Sequence, residues 1–155
     1  MGRRGSTAGL HLLSLVLSTA CAGLFRGPAL YVNVVEHPAR TSCGPEIALR
    51  EFASSYRRAT ILQTSLALGG LALGLTAAWQ LHDPWVAVGG VLLGASVPFT
   101  LIVIFPTNKQ LLDPTLDSRS PQVISLFHRW NRLHAIRSIL SAAAFSILLY
   151  RAATR

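Results

Sequence analysis

Two stretches of this 155-residue chain carry no charge at all: Ala59 to Leu81, 23 residues, and Val86 to Phe105, 20 residues. As helices rising about 1.5 Å per residue they are about 30 Å long or more, enough to cross a bilayer's hydrocarbon core. A core helix of a soluble domain would not be apolar on every face. The chain therefore reads as an integral membrane protein. Its composition agrees, with 51% hydrophobic residues, 13% charged residues and a mean hydropathy of +0.45.

The last apolar stretch, "NRLHAIRSILSAAAFSILLY" over residues 131–150, is different. Its uncharged part, Ser138 to Tyr150, is 13 residues and rises only about 20 Å as a helix. Polar residues must enter the membrane near its start. With an apolar run from Leu10 to Phe25, the pattern predicts one all-α domain over residues 1–155. It is an up-down-up-down four-helix bundle with spans at about 8–35, 54–81, 85–105 and 123–151. A polar loop around "HPARTSCGPE" separates the first two spans, with room for a short surface helix near 45–53. "HDP" makes a tight turn, and "PTNKQLLDPTLDSRSP" joins the third span to the fourth.

The amino terminus matches three processing patterns. "MGRRGSTAGLHLLSLVLSTACAG" has the outline of a signal peptide, fits a myristoylation motif through Gly2 and Ser6, and lacks acids as a presequence does. The apolar helical pattern continues past the Ala20-Cys21-Ala22 triplet, where a signal peptide would be cut, through Leu24, Phe25, Ala29, Leu30 and Val32, which favours a retained first span. Gly27-Pro28 is a candidate kink.

Thirteen Arg and one Lys against six acids give a net charge of +8. The basic residues flank the apolar spans and form no separate domain, so anionic lipid head groups are their expected neighbours and nucleic acid is not. An even number of spans puts both termini on one side. The long loops, with Arg40, Arg50, Arg57, Arg58, Lys109, Arg119, Arg129 and Arg132, then face the cytoplasm or its equivalent. Endomembrane residence is slightly favoured over mitochondrial. Cys21 and Cys43 show no CxxC or zinc spacing, so neither a disulfide nor a metal is expected from them.

That topology collects polar residues at one membrane face: Glu36 and His37, Tyr56 and Gln63, Asn108, and Trp130, His134 and Arg137. Trp130, His134, Arg137 and Ser141 lie within about 40° of Trp130 on a helical wheel, a stripe that lipid would not solvate. Tyr56, Thr60, Gln63, Ala67, Gly70 and Gly74 form a second stripe that passes from polar to small with depth. Gly90 and Gly94 have small-xxx-small spacing on the third span. The deep halves are thus suited to close packing. The shallow halves leave room for a small apolar ligand with its polar end near Glu36 and His134.

Each residue also has a plainer reading. Arg137 and Glu36 fit an ion pair that fixes helix register, and His134 fits a bond to a backbone carbonyl or a stack on Trp130. Trp130 and Tyr56 fit interfacial anchors, and Asn108 fits a turn. Glu36, His37 and His134 have the chemistry of a two-His, one-carboxylate metal set, but neighbours at 36 and 37 point different ways on a helix. No metal site is expected.

"AGLFRGPALYVNVVEHPAR", "YRRATILQ", "FPTNKQLL" and "WNRLHAIRS" occur in this order. Together they resemble the motifs of the anthrone oxygenase-like membrane proteins, over about Ala22 to Ala143. The most specific parts are Glu36-His37-Pro38, Pro106-Thr107-Asn108 and the spacing of Trp130, His134 and Arg137. Arg26 stands where that pattern has a small residue. The resemblance implies four spans and, for the few members with an assigned reaction, oxidation of an anthrone to an anthraquinone without flavin or metal. The partners implied are the lipid bilayer, O2 and a small aromatic or quinone-like ligand, with no cofactor. His134 would be the base, held by Glu36 or Asn108. Arg137 and Tyr56 would steady an oxyanion, Gln63 and Asn108 would line the ligand, and Trp130 would stack on it. The alternative is a non-enzymatic membrane protein that binds a lipid, sterol or quinone, or assists assembly of a membrane complex. Its support is the lack of a cofactor motif such as GxGxxG or HExxH.

Overall fold

The computed structural model describes residues 3–155, with side chains from Leu12 onward. The myristoylation motif through Gly2 and Ser6 lies outside the described side chains. Among the described residues there are helices and no strands. Four rods, Leu12–Ser42, Pro45–Leu81, Pro84–Leu111 and Pro121–Ala153, are long and apolar enough to cross a membrane. Spans two and four are single helices. Span one is assembled from α1 (Arg3–Tyr31), a π-helical turn (Val32–Glu36) and α2 (His37–Ser42). With α3 naming span two, span three is assembled from α4 (Pro84–Gly94), α5 (Ser96–Phe99), a second π-helical turn (Thr100–Ile104) and α6 (Phe105–Leu111). Span four is α7.

The helices extend further than the sequence predicts. No polar loop follows residue 35, and no separate surface helix covers 45–53. Span one continues through Pro38 to Ser42, only Cys43 and Gly44 intervene, and α3 begins at Pro45. Gly44 turns the chain at φ +88°, where other residues would be strained. Likewise Pro106-Thr107-Asn108 is not a corner but part of α6, with Thr107 and Asn108 buried. A proline inside a helix removes one amide donor and its ring crowds the carbonyl four residues back. Pro38 and Pro106 each follow a π-turn. The amide of His37 reaches back five residues to Val32, and that of Phe105 to Thr100, which widens the helix where the ring needs space. At Pro28, α1 continues as helix.

The spans pack in a four-sided bundle in which one touches two and four, and three touches two and four. Span one meets span two at Ser18 with Gly70 and, nearer the Cys43 turn, at Arg40 with Glu51. As one number rises the other falls, so these neighbours are antiparallel. Deep in the bundle the glycines allow backbones to touch. A Cβ on Gly74 would lie 2.9 Å from the Gly90 Cα, so the small-residue stripes of spans two and three face each other. Leu15, Ala22, Phe25, Ala67, Leu93 and Leu148 fill this half. Outside, Leu24, Ile61, Ile102 and Ile139 are more than 60% exposed, as a lipid-facing surface requires.

Candidate functional site

The inward stripe of α7 organises the other half of the bundle. Trp130, His134 and Ser141 are buried, and Arg137 lies with them. His134 is held on both sides of its ring: Nδ1 lies 2.8 Å from Asn33 Oδ1, and Nε2 lies 2.5 Å from Arg137 Nη2. A guanidinium only donates, so Nε2 accepts and the hydrogen sits on Nδ1. Asn33 is oriented to receive it, because its Nδ2 donates to the carbonyl and side-chain oxygens of Asn131 at 3.2 and 2.8 Å. Ser138 adds a donation to the same Oδ1 at 2.7 Å. His134 is thus a neutral Nδ1–H tautomer with its lone pair capped by a cation.

Asn33 sits in the π-turn of span one, a residue the sequence reading did not single out. Glu36 and Asn108, the expected partners of His134, are engaged elsewhere. Glu36 pairs with Arg40, which also pairs with Glu51 across to span two. Asn108 accepts from the Trp130 indole at 2.8 Å and donates to the Tyr56 hydroxyl at 3.4 Å. The missed signal for Arg40 is its i,i+4 spacing from Glu36, which only becomes meaningful once the helix runs through Pro38.

Trp130 is packed among other rings. His37 stacks at 5.7 Å and His134 at 4.7 Å between ring centroids, and Phe52 meets it edge-on at 5.4 Å. The Arg40 guanidinium lies over Phe52 and Trp130 at 5.6 and 5.9 Å, within cation–π range. These contacts hold the indole in place beside the cavity that it helps to line. Among the described residues no group of three or more metal-ligating side chains forms.

Between these residues lies a cavity of about 80 Å³. Glu36, Tyr56, Gln63, Asn108, Trp130, His134 and Arg137 all line it, so the seven residues singled out from sequence do share one space. Three buried polar atoms around it have no partner: Arg40 Nη1, Gln63 Oε1 and Arg137 Nε. Unpaired buried donors and acceptors are costly, and here they supply both donors and an acceptor for a polar guest. Both π-turns contribute to the walls, through Val32 and Glu36 and through Thr100 and Ile104. Arg26 is not among its walls, and its guanidinium lies over Phe145 at 5.5 Å.

A family model described as anthrone oxygenase matches residues 52–147. The match takes in Tyr56, Gln63, Asn108, Trp130, His134 and Arg137, while Asn33, Glu36, His37 and Arg40 precede it. No curated protein and no solved structure matches the chain.

Proposed function

The chain belongs to the anthrone oxygenase family, and on that premise we propose that this multi-pass membrane protein is a cofactor-independent oxygenase of a small aromatic or quinone-like substrate. The observation that carries the reading is the pairing of a neutral His134 lone pair with Arg137 at the wall of a cavity. An anthrone methylene is acidified by the ring carbonyl. A carbonyl oxygen that draws the Arg137 guanidinium to itself uncovers His134 Nε2, so one event supplies both the base and the charge-stabilising donor. His134 takes a proton from the methylene carbon, and the electron pair left behind delocalises onto the oxygen held by Arg137. The substrate anion then reduces O2, forming a carbon–oxygen bond, and the terminal peroxide oxygen takes up a proton. Loss of water leaves a second carbonyl, with one atom of O2 in the product and one in water. Tyr56 and Gln63 offer further polar contacts to the substrate. Asn108 holds Tyr56 and Trp130 in position, and Glu36 holds Arg40.

A second reading rests on the completeness of the His134 network. Its ring nitrogens already have partners, and the bonds through Asn33 and Ser138 tie span one to span four. On that reading the cluster is a polar cross-link in a non-enzymatic protein that binds a lipid, sterol or quinone, or assists assembly of a membrane complex.

Oxygen uptake and anthraquinone absorbance, followed with purified protein and a tricyclic anthrone, separate the two. After subtraction of spontaneous oxidation, His134→Ala is expected to lower kcat by about 10²–10⁴-fold, the usual weight of a general base. Equal rates in wild type and a folded His134→Ala protein would leave the second reading standing.

A further inference from the structure

A second hollow, of about 120 Å³, lies against the first and shares Tyr56, Gln63 and Arg137 with it. Its floor is the buried ring of Phe25, over which the Arg137 guanidinium sits at 5.5 Å. Its outer rim is made by Thr64 of span two and by Leu101 and Phe105 of span three. Leu101 and Phe105 are 61% and 44% exposed, so the hollow opens sideways between spans two and three and not toward either end of the bundle.

The depth of this opening decides what it meets. Thr64 is six residues past Arg58 and Leu101 is eight residues before Lys109. At about 1.5 Å per residue these rims lie about 9 and 12 Å inside the charged collar. That level is acyl chain, not head group. The π-turn Thr100–Ile104 borders the opening through Thr100 and Leu101, and such a turn widens the helix locally. At the inner end wait the unpartnered Gln63 Oε1 and Arg137 Nε, the latter a donor aligned with no protein acceptor.

From this geometry we infer that the gap between spans two and three is a lateral entry site for a flat, apolar aromatic ketone dissolved in the bilayer, with Arg137 at its inner end as the donor to the ketone oxygen. The two hollows together hold about 200 Å³, below the roughly 300–1,000 Å³ of sites for drug-sized ligands. A small tricycle is therefore the largest class that enters without displacing side chains. The ring would lie against Phe25 and the oxygen would meet Arg137. The carbonyl that draws the guanidinium from His134 thus arrives from the membrane side. The ligand class rests on the proposed oxygenase reading, but the route does not.

Benzophenone, an aromatic ketone that is not an anthrone and inserts into nearby C–H bonds on illumination, tests the route without catalysis. Full-length protein in lipid nanodiscs is illuminated with benzophenone, and adducts are mapped by mass spectrometry. Adducts are expected on the peptides that carry Phe25 or Gln63. Thr64→Phe and Leu101→Trp should each reduce these inner adducts by about tenfold, while Ile102→Trp on the adjacent lipid face leaves them unchanged. Adducts on the outer Ile139 serve as the folding control, and Leu101→Trp places its bulk at a position that is already exposed. The inference fails if wild type gives no inner adducts, or if both rim variants give them at the wild-type level. It also fails if a sulfonated, water-soluble benzophenone labels the inner residues as well as the apolar one does. Inner labelling that the rim variants block, in a protein that consumes no O2 with an anthrone, would keep the entry site and overturn the oxygenase.

Discussion

Arg137 Nη2 stands 2.5 Å from His134 Nε2, and this contact fixes the chemistry of the imidazole before any ligand arrives. The ring must be neutral, and its hydrogen must be on Nδ1. Nitrogen-15 spectra of histidine-labelled protein are expected to contain the Nδ1–H tautomer signal, absent from His134→Gln. The Nε2–H tautomer at His134 would mean that Arg137 does not donate to it.

The same contact separates catalysis from support. His134→Gln keeps a polar side chain beside Asn33 and Arg137 but no base, so on the proposed oxygenase reading the protein should fold while anthrone oxidation falls by about 10²–10⁴-fold. His134→Leu leaves Arg137 and Asn33 short of a partner, at about 1–3 kcal/mol for each buried group and more for the charged one. Thermal unfolding in detergent, run beside oxygen uptake, should show the glutamine variant losing activity alone and the leucine variant losing both.

Asn33 ties span one to span four through His134, Asn131 and Ser138. Asn33→Ala leaves His134 Nδ1–H and the Asn131 oxygens without this partner, while Ser138 keeps the Ala29 and His134 carbonyls at 3.2 and 3.1 Å, and it should destabilise the protein by about 1–3 kcal/mol. Asn33→Asp accepts the same hydrogens but cannot donate to the Asn131 oxygens. It is expected to lie between wild type and the alanine variant in melting temperature.

How much of this was legible in the chain depends on which rule governed each residue. The spans follow from uncharged windows, and the inward stripe of Trp130, His134 and Arg137 follows from helical spacing, because nothing local contradicts either. Pro38 and Pro106 obey a local rule that stops helices, and the bundle overrides it with a π-turn whose hydrogen bonds skip the crowded carbonyl. That one misreading hid Arg40, which meets Glu36 only on a continuous helix, and moved Asn108 from a buried donor to a turn. Asn33 carries no signal in isolation. A single Asn among Val and Tyr gains meaning only when span four places His134 opposite it.

The glycine contacts make a sharp contrast within one helix. A methyl on Gly74 would meet the backbone of Gly90 at 2.9 Å, whereas one on Gly69 meets nothing within 4 Å. Gly74→Ala should force spans two and three apart and cost about 1–3 kcal/mol. Gly69→Ala should be neutral or stabilise by up to about 1 kcal/mol, because it only restricts the unfolded chain. Melting temperatures of the two variants in one detergent check this directly.

At the opposite end of the bundle Asp83 caps α4 and binds two arginines of the chain's last residues. Its Oδ1 accepts from the Trp85 amide at 3.1 Å, and its Oδ2 accepts from Arg151 at 2.7 Å and Arg155 at 2.5 Å. Burial alone would raise the pKa of this carboxyl, but the hydrogen bonds from Arg151, Arg155 and Trp85 outweigh it and hold the pKa below the ordinary value. A depressed folded-state pKa means that the stabilisation is fully present above the unfolded value of about 3.9. It is lost as pH falls through the lower folded value. Melting temperature should therefore drop between about pH 4 and the acid limit of the measurement. In Asp83→Asn the contribution of this group to that drop should vanish, at the expense of a lower melting temperature at pH 7. A wild-type acid slope that Asp83→Asn leaves unchanged would show that the clamp of Arg151 and Arg155 adds nothing to stability.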